Sequence, residues 1–189
     1  MHDADHFSVL LIGGRSGVGK STVAWEVSAR LREASVAHCF IEGDFLDQAH
    51  PAPPDDPSRT EMTRRNLASL WANYAALGYR RLIYTNTVSV LERDLVVGAM
   101  GGNVEVTGVL LTAADDVANR RLSVRETGSQ YEAHVARSTA AAQHLETTAP
   151  QWVVRVPTDG RTVAEVASEV VALTGWCLTP EAGRADRQP

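Results

Sequence analysis

The fold of this chain is decided by one short stretch, Gly14-Arg15-Ser16-Gly17-Val18-Gly19-Lys20-Ser21. It fits the phosphate-binding loop pattern G-x-x-x-x-G-K-[S/T]. The apolar run Phe7–Ile12 precedes it and predicts a buried parallel strand. After it, Val23, Val27 and Leu31 recur at helical spacing. Strand, glycine-rich loop and helix are the context that this motif requires, so the stretch predicts a P-loop between a β-strand and an α-helix.

The residue types of this loop suit a polyphosphate. Glycines let successive backbone N–H groups curve around an anion, and the N-terminus of the following helix adds partial positive charge. Lys20 is predicted to reach the β- and γ-phosphates, and the Ser21 hydroxyl is a predicted Mg²⁺ ligand. Thr22 completes the predicted nucleotide-binding segment. We therefore expect ATP and Mg²⁺ as ligands.

Composition narrows the class of protein. The chain has 189 residues, of which 44% are hydrophobic, which is enough for one well-packed domain and too few for two of ordinary size. Its net charge of −5 offers no general basic field for a nucleic acid. The polar N-terminus predicts no signal peptide, and no apolar run reaches membrane-spanning length. We expect a cytoplasmic enzyme with no nucleic-acid or membrane partner, and the sequence leaves its oligomeric state open.

Strands and helices are predicted to alternate along the chain. After the P-loop helix, the predicted strands are Val36–Ile41, Arg81–Asn86, Val104–Leu111 and Trp152–Val156. A helix is predicted from about Thr60 to a stop at Gly78. Capping boxes predict helix starts at Thr112, Ser129 and Thr162. This alternation predicts an α/β fold with a parallel, doubly wound sheet, in a single domain over residues 1–178 with a loose tail over 179–189.

Polar residues lie where the predicted strands end. Asp44 follows the second strand and Asn86 ends the third. A long loop, Asp47–Arg59, contains four prolines that neither a helix nor a central strand would accept. Because ligands bind at the carboxyl ends of parallel strands, we expect Asp44 and Asn86 to lie near the P-loop.

The chain resembles the small P-loop kinases of the nucleoside-monophosphate-kinase-like superfamily. Within it, the likeness is to gluconate kinases, chloramphenicol phosphotransferases and tunicamycin-resistance ATP-binding proteins. It extends from Phe7 to about Trp176 and is strongest at Gly14–Ser21, with a fair match at Gly43-Asp44-Phe45-Leu46. The resemblance implies a three-layer P-loop NTPase sandwich, with a parallel sheet of five strands in the order 2-3-1-4-5, helices on both faces and a short mobile lid at about residues 120–137.

The resemblance implies roles for individual residues. Asp44 would face the phosphate acceptor and take, or orient, the proton of its hydroxyl, with Glu42 and Asp47 as substitutes. Arg121 and Arg125 lie four residues apart on one predicted helix face. In the lid, the first would stack on adenine and the second would contact the transferring phosphoryl group. A turn residue at Asp44 and an ordinary charged helix face at the arginines are the structural alternatives.

Two further groups of residues complete the predicted site. The resemblance implies an adenine pocket, formed largely by backbone, at Asp159, Gly160 and Arg161; a plain βα turn is the alternative. Besides Asp44 and the proline-rich loop, the predicted acceptor site contains Arg65, Asn86 and Arg93. Arg120 and Arg137 are weaker candidates for the lid.

The chain also departs from the family pattern. The third strand ends without a Walker B aspartate, so Mg²⁺ would rest on Ser21, phosphates and water. The basic acceptor motif of gluconate kinases is represented only by Arg93-Asp94-Leu95, which makes gluconate an unexpected acceptor. The spacing of His134 and His144 fits no metal site, and we expect both to be solvated.

Three functions are compatible with these observations. The leading interpretation is an ATP-dependent phosphotransferase that acts on the hydroxyl of a small molecule. The second is a nucleotide or nucleoside kinase, in which Arg64, Arg65 and Arg93 would form a basic pocket for a monophosphate. The third is an ATP-binding resistance or regulatory protein with little transfer activity. Dependence of ATP consumption on an acceptor distinguishes the third from the other two.

Overall fold

The computed structural model describes residues 6–125 and 131–177. Its strands are β1 (His6–Gly13), β2 (Cys39–Glu42), β3 (Arg81–Thr85), β4 (Asn103–Thr112) and β5 (Val154–Pro157). They form a parallel sheet in the order β2-β3-β1-β4-β5. This confirms the α/β fold class and the strand order that the resemblance implied.

Helices cover both faces of the sheet. The described α-helices are α1 (Lys20–Glu33), α2 (Thr60–Ala76), α3 (Arg93–Met100), α4 (Asp115–Arg125), α5 (Tyr131–Thr148) and α6 (Val163–Thr174). Along β1, Leu10 and Ile12 belong to the core shared with α1 and α6. Val9 and Leu11 belong to the opposite core, which contains residues of α2, α3 and α5. This side-chain alternation, with both faces apolar, is what a central parallel strand requires. None of the described helices has the length and apolar character needed to cross a bilayer.

The predicted strand boundaries were correct to within a few residues. β2 begins later than expected because the Val36 N–H donates to the Leu31 carbonyl (2.8 Å) and so closes α1 instead of joining the sheet. β5 also begins later, because Val153 donates to the Pro150 carbonyl (3.1 Å) in a turn. Local turn bonds of this kind compete with the sheet ladder, and an apolar pattern does not reveal them.

The predicted capping boxes had different outcomes. Thr162 and Glu165 form the complete box at the start of α6, which confirms that prediction. The prediction for Thr112 was wrong, because Thr112 is the last residue of β4 and α4 begins only at Asp115. Ser129 lies outside the described residues, as do residues 126–130 of the predicted lid and the predicted tail from 179 to 189.

Candidate functional site

The P-loop connects β1 to α1 at the carboxyl edge of the sheet. Gly17 has a φ of 89°, and a Cβ atom there would collide with the backbone of Ala118 in α4. Gly19 has a φ of 95° and no neighbouring atom within 4 Å of the position that a Cβ would take. Glycine is therefore needed at both positions. At Gly17 it allows close packing against α4, and at Gly19 it allows an open, left-handed backbone that faces the cavity.

Lys20 folds back over the loop that precedes it. Its ammonium donates hydrogen bonds to the carbonyls of Gly14 (2.8 Å) and Arg15 (3.3 Å). A cavity of about 220 Å³ lies in front of the loop and is lined by Ser16, Gly17, Gly19, Lys20, Ser21, Asp44, Leu122 and His134. We call it the phosphate cavity. Its backbone curvature, ammonium and Ser21 hydroxyl fit a polyphosphate with Mg²⁺.

Asp44 reaches this cavity from the end of β2, as the sequence predicted. It follows Gly43, where a Cβ would approach the Tyr84 hydroxyl to 2.5 Å and the Thr85 carbonyl to 2.9 Å, so close packing against β3 leaves no room for a side chain at this position. Asp44 is exposed, and it lines the cavity together with Lys20. The structure thus brings a carboxylate and the P-loop ammonium to one cavity from residues that are distant in sequence.

The Arg15 side chain is directed away from the phosphate cavity and is only 3% exposed. Its Nε donates to Ser138 Oγ at 3.0 Å, and its guanidinium pairs with the Asp115 carboxylate. The same guanidinium donates to Asn119 Oδ1 at 2.9 Å and to Thr139 Oγ1 at 3.2 Å. Arg15, predicted as a nucleotide-binding residue, thus ties the loop to α4 and α5 through its side chain.

His134 corrects one prediction. It is half-buried, lines the phosphate cavity and places Nε2 3.0 Å from Ser16 Oγ, so it is not the solvated residue that we expected. One helical turn later, Ser138 Oγ donates to the Ser16 carbonyl at 3.1 Å. His144 is exposed, as expected. The spacing of His134 and Ser138 puts them on one face of α5, but nothing local indicates that this face meets the P-loop.

A second cavity, of about 170 Å³, borders the other side of the loop. It is lined by Val18, Gly19, Thr22, Val23, Arg121, Thr158, Arg161, Thr162, Val163 and Val166. The Arg121 guanidinium donates to Thr158 Oγ1 at 2.9 Å and to the Thr158 carbonyl at 3.2 Å. Arg161 pairs with Glu169 at 2.8 Å. The structure therefore brings Arg121, Arg161 and Thr22 to one cavity, and their contact with a nucleoside base stays a prediction.

The Asp159 side chain does not line this cavity, and Gly160 forms the turn beside it. One Asp159 oxygen accepts a hydrogen bond from the Ala114 N–H at 2.7 Å, just before α4. Gly160 has a φ of 67°, which is typical of a glycine turn. Asp159 thus supports the start of α4, and this contact agrees with the turn alternative that the sequence left open.

The predicted acceptor residues other than Asp44 do not line the phosphate cavity. Arg65 pairs with Glu61 at 2.7 Å and borders a separate cavity of about 260 Å³ beside the proline-rich loop. Arg93 lies 5.9 Å from the centre of the Trp152 ring. Asn86 accepts a hydrogen bond from the Val88 N–H at 3.4 Å, which stabilises the turn after β3.

The lid predictions involve residues that the structure describes only in part. Arg125 ends α4, and its side chain lies outside the described residues. Arg120 is exposed and pairs with Asp116 at 3.4 Å, and Arg137 is exposed on α5. The phosphoryl contact of Arg125 stays a prediction.

Sequence reasoning missed a buried group beside the site. Glu92 follows the short turn Ser89–Leu91, and its Oε2 is buried with no hydrogen-bond partner among the described residues. Burial, and then the charges of Asp47 and Asp44, raise the pKa of Glu92. Burial and Glu92 in turn raise the pKa of Tyr84. This part of the site is acidic, in contrast to the basic acceptor pocket that a monophosphate would favour.

Comparison with known proteins places these observations in a family. A family model described as an AAA domain matches residues 9–151. A comparison with curated proteins gives no match.

Several solved structures share the fold. The tunicamycin resistance protein of Deinococcus radiodurans is 20% identical with a TM-score of 0.60, over 89% of this chain and 96% of that one. A gluconokinase from Sinorhizobium meliloti 1021 is 18% identical with a TM-score of 0.57, over 89% of this chain and 91% of the gluconokinase chain. The APS kinase of Mycobacterium tuberculosis, in complex with AMPPNP and APS, is 20% identical with a TM-score of 0.55, over 88% and 96%. These likenesses confirm the predicted resemblance to small P-loop kinases at the level of the fold.

Proposed function

The chain belongs to the AAA domain family and has the fold of the small P-loop kinases, and from that premise we propose that it transfers the γ-phosphate of ATP to a hydroxyl of a small molecule. One observation carries this proposal: Lys20, Ser21 and Asp44 line the same cavity. A phosphate-binding ammonium, a candidate magnesium ligand and a candidate base for the acceptor are the parts that phosphoryl transfer needs.

The P-loop residues account for binding of the nucleotide in this proposal. The backbone N–H groups from Gly17 to Lys20 and the Lys20 ammonium hold the phosphates, and the Ser21 hydroxyl ligates Mg²⁺. β3 is followed by Asn86 and not by an aspartate, so water and phosphate oxygens supply the other magnesium ligands. Bound ATP supplies the phosphoryl group. The cavity of Arg121 and Arg161 receives the base, and Arg125 neutralises charge from the lid.

Asp44 acts on the acceptor. Its carboxylate accepts the proton of the acceptor hydroxyl, or orients that hydroxyl toward the γ-phosphorus. As the acceptor oxygen bonds to this phosphorus, the bond from the phosphorus to the β–γ bridging oxygen breaks and ADP leaves. Its exposure leaves space for an acceptor of several sizes beside the cavity.

The alternative of a nucleotide kinase receives less support. A monophosphate acceptor would need basic side chains at the acceptor end. However, Arg64 and Arg65 both pair with Glu61, at 2.6 and 2.7 Å, and Arg93 packs over Trp152. The carboxylates near Glu92 would also repel an anionic acceptor. A neutral or cationic acceptor fits this end better.

An ATP-consumption screen tests the proposal. Sugars, sugar acids, nucleosides, nucleotides and antibiotics are offered to the wild type, to Lys20→Ala and to Glu105→Gln, a control that removes a charge at an exposed position near the start of β4. We expect one acceptor class to accelerate ATP consumption in the wild type and the control, and Lys20→Ala to abolish the acceleration. Saturable ATP binding with no acceptor dependence across the panel would instead favour a binding protein.

A further inference from the structure

We propose that His134 is a phosphoryl-contacting residue, which supplies from α5 a hydrogen bond to the terminal phosphate of a bound nucleoside triphosphate. The proposal rests on the proposed nucleotide site but not on transfer to any acceptor. It adds a group from α5 to the two leading lid arginines, Arg121 and Arg125, which lie on α4. The sequence pattern alone predicts a solvent-exposed histidine at this position.

The position of His134 supports a contact with the terminal phosphate. Its side chain lines the phosphate cavity with Lys20, Ser21 and Asp44, and its Nε2 lies 3.0 Å from Ser16 Oγ. Ser16 is itself a residue of the P-loop and lines the same cavity, so a phosphate bound at this end of the loop would lie beside the same edge of the imidazole ring. A histidine at this distance is part of the phosphate cavity and not of the surrounding surface.

Two other residues of α5, Ser138 and Thr139, also attach this helix to the P-loop. Ser138 Oγ donates to the Ser16 carbonyl at 3.1 Å and accepts from Arg15 Nε at 3.0 Å. Arg15 also donates to Thr139 at 3.2 Å. His134 and Ser138 lie one helical turn apart, so these bonds fix the helix face that carries the imidazole. A group that is already held in place loses little conformational entropy when it binds a ligand.

The charges around the phosphate cavity also favour a cationic group at His134. Among the described residues that line the phosphate cavity, Lys20 is the only permanent cation and Asp44 is an anion. A triphosphate brings more negative charge than one ammonium neutralises, even with Mg²⁺. Histidine is the side chain that changes between a neutral and a cationic form near physiological pH, and the cationic form suits a site that receives a phosphate. The imidazolium then donates a charge-assisted hydrogen bond, which is stronger than a neutral one.

The test compares two nucleotides that differ in the terminal phosphate. Lys20 is the only lysine in the sequence, so ¹⁵N-lysine labelling gives one backbone amide signal, inside the P-loop. Titrations of Mg·AMPPNP and Mg·ADP against this signal give both dissociation constants. For His134→Gln we expect an AMPPNP Kd about tenfold higher and an unchanged ADP Kd, because ADP lacks the group that His134 contacts.

A matched control and a rescue make the result specific. His144→Gln changes an exposed histidine on the same helix and should alter neither Kd. His134→Arg restores a cation and should recover AMPPNP affinity. The advantage of the wild type over His134→Gln should grow from pH 8 to pH 6, whereas the advantage of His134→Arg over His134→Gln should not show this growth. The charged side chains that share the phosphate cavity with His134 are Lys20 and Asp44.

Each contrary outcome has a distinct meaning. If His134→Gln raised the Kd values of AMPPNP and ADP by the same factor, His134 would only hold the loop through Ser16, and the proposal would be overturned. Unchanged affinity for both nucleotides would overturn it as well. If the wild type binds both nucleotides but transfers phosphate to no acceptor, the proposed function fails while the difference between AMPPNP and ADP still decides the role of His134.

Discussion

Arg15→Met is expected to lower the free energy of unfolding by about 3 kcal/mol, although Arg15 lies in a loop and is not part of the apolar core. Methionine keeps most of the aliphatic length and removes the guanidinium. The side chain is 3% exposed, so water does not replace its contacts with buried partners such as Ser138. The perturbation therefore isolates the polar attachment of the P-loop to α4 and α5.

The magnitude follows from the partners of the guanidinium. Hydrogen bonds to a charged group contribute roughly 1.5–3 kcal/mol each, but bonds within one network do not add. Asp115 is 70% exposed, so water takes over much of its share when the arginine is removed. Ser138 is buried and loses its donor outright. Removal of the guanidinium also removes the desolvation cost of a buried charge, and this gain offsets part of the loss. The net decrease in the free energy of unfolding is therefore about 3 kcal/mol.

Urea unfolding at neutral pH, followed by circular dichroism, measures the effect. A loss of about 3 kcal/mol corresponds to a Tm lower by roughly 6–12 °C for a chain of this length. The control is Arg120→Met on α4, which removes a 74% exposed guanidinium that pairs with Asp116 at 3.4 Å. Its expected cost is below about 1 kcal/mol. If Arg15→Met cost no more than this control, the buried network would not hold the loop, and the reasoning would be refuted.

Three other outcomes are expected. Asp44→Asn should lower turnover on an identified acceptor by about 10²–10⁴ and leave ATP affinity unchanged; retained turnover would move the role to a neighbouring carboxylate. Hydrogen exchange over residues 120–137 should slow when AMPPNP and Mg²⁺ are added, and unchanged exchange there beside clear protection of Gly14–Ser21 would remove the lid from the mechanism. Burial and nearby carboxylates raise the pKa of Glu92 in the folded state, so its contribution to stability is full below its ordinary pKa of 4.5 and falls as pH rises through the folded value. As pH rises from 4.5, the free energy of unfolding of Glu92→Gln, measured in urea, should therefore fall less than that of the wild type. Parallel plots of unfolding free energy against pH for the two proteins would contradict this.

Local patterns explain why much of the fold could be predicted. The P-loop needs glycines, a lysine and a serine in fixed order, and the strand before it needs a continuous apolar run; both requirements are written in consecutive residues. Asp44 could be placed near the loop for a topological reason. Parallel strands put their carboxyl ends at one edge, so a polar residue after β2 meets the residues after β1. The structure brings Asp44 to the phosphate cavity as this rule predicts.

The directions of long side chains could not be predicted in the same way. Arg93 was expected at the acceptor, but the ring of Trp152, distant in sequence, lies 5.9 Å from its guanidinium. Arg65 was expected there too, but Glu61 lies one turn earlier on α2 and pairs with it. An arginine has many rotamers of similar energy, and contacts from other elements select among them. Charge in the sequence thus indicated that cations were present but not which cavity they would face.

Arg15 and His134 show at the candidate functional site that contacts from other elements decide where a side chain lies. Both lie within or against the P-loop, yet their side chains have opposite relations to the phosphate cavity: Arg15 leaves it for α4 and α5, and His134 enters it from α5. The helix that receives the buried arginine is therefore the helix that presents the imidazole. A change that loosens Arg15 from Ser138 also frees the face of α5 that holds His134 against Ser16. Stability of the loop and the placement of a phosphate-contacting group consequently depend on the same few bonds.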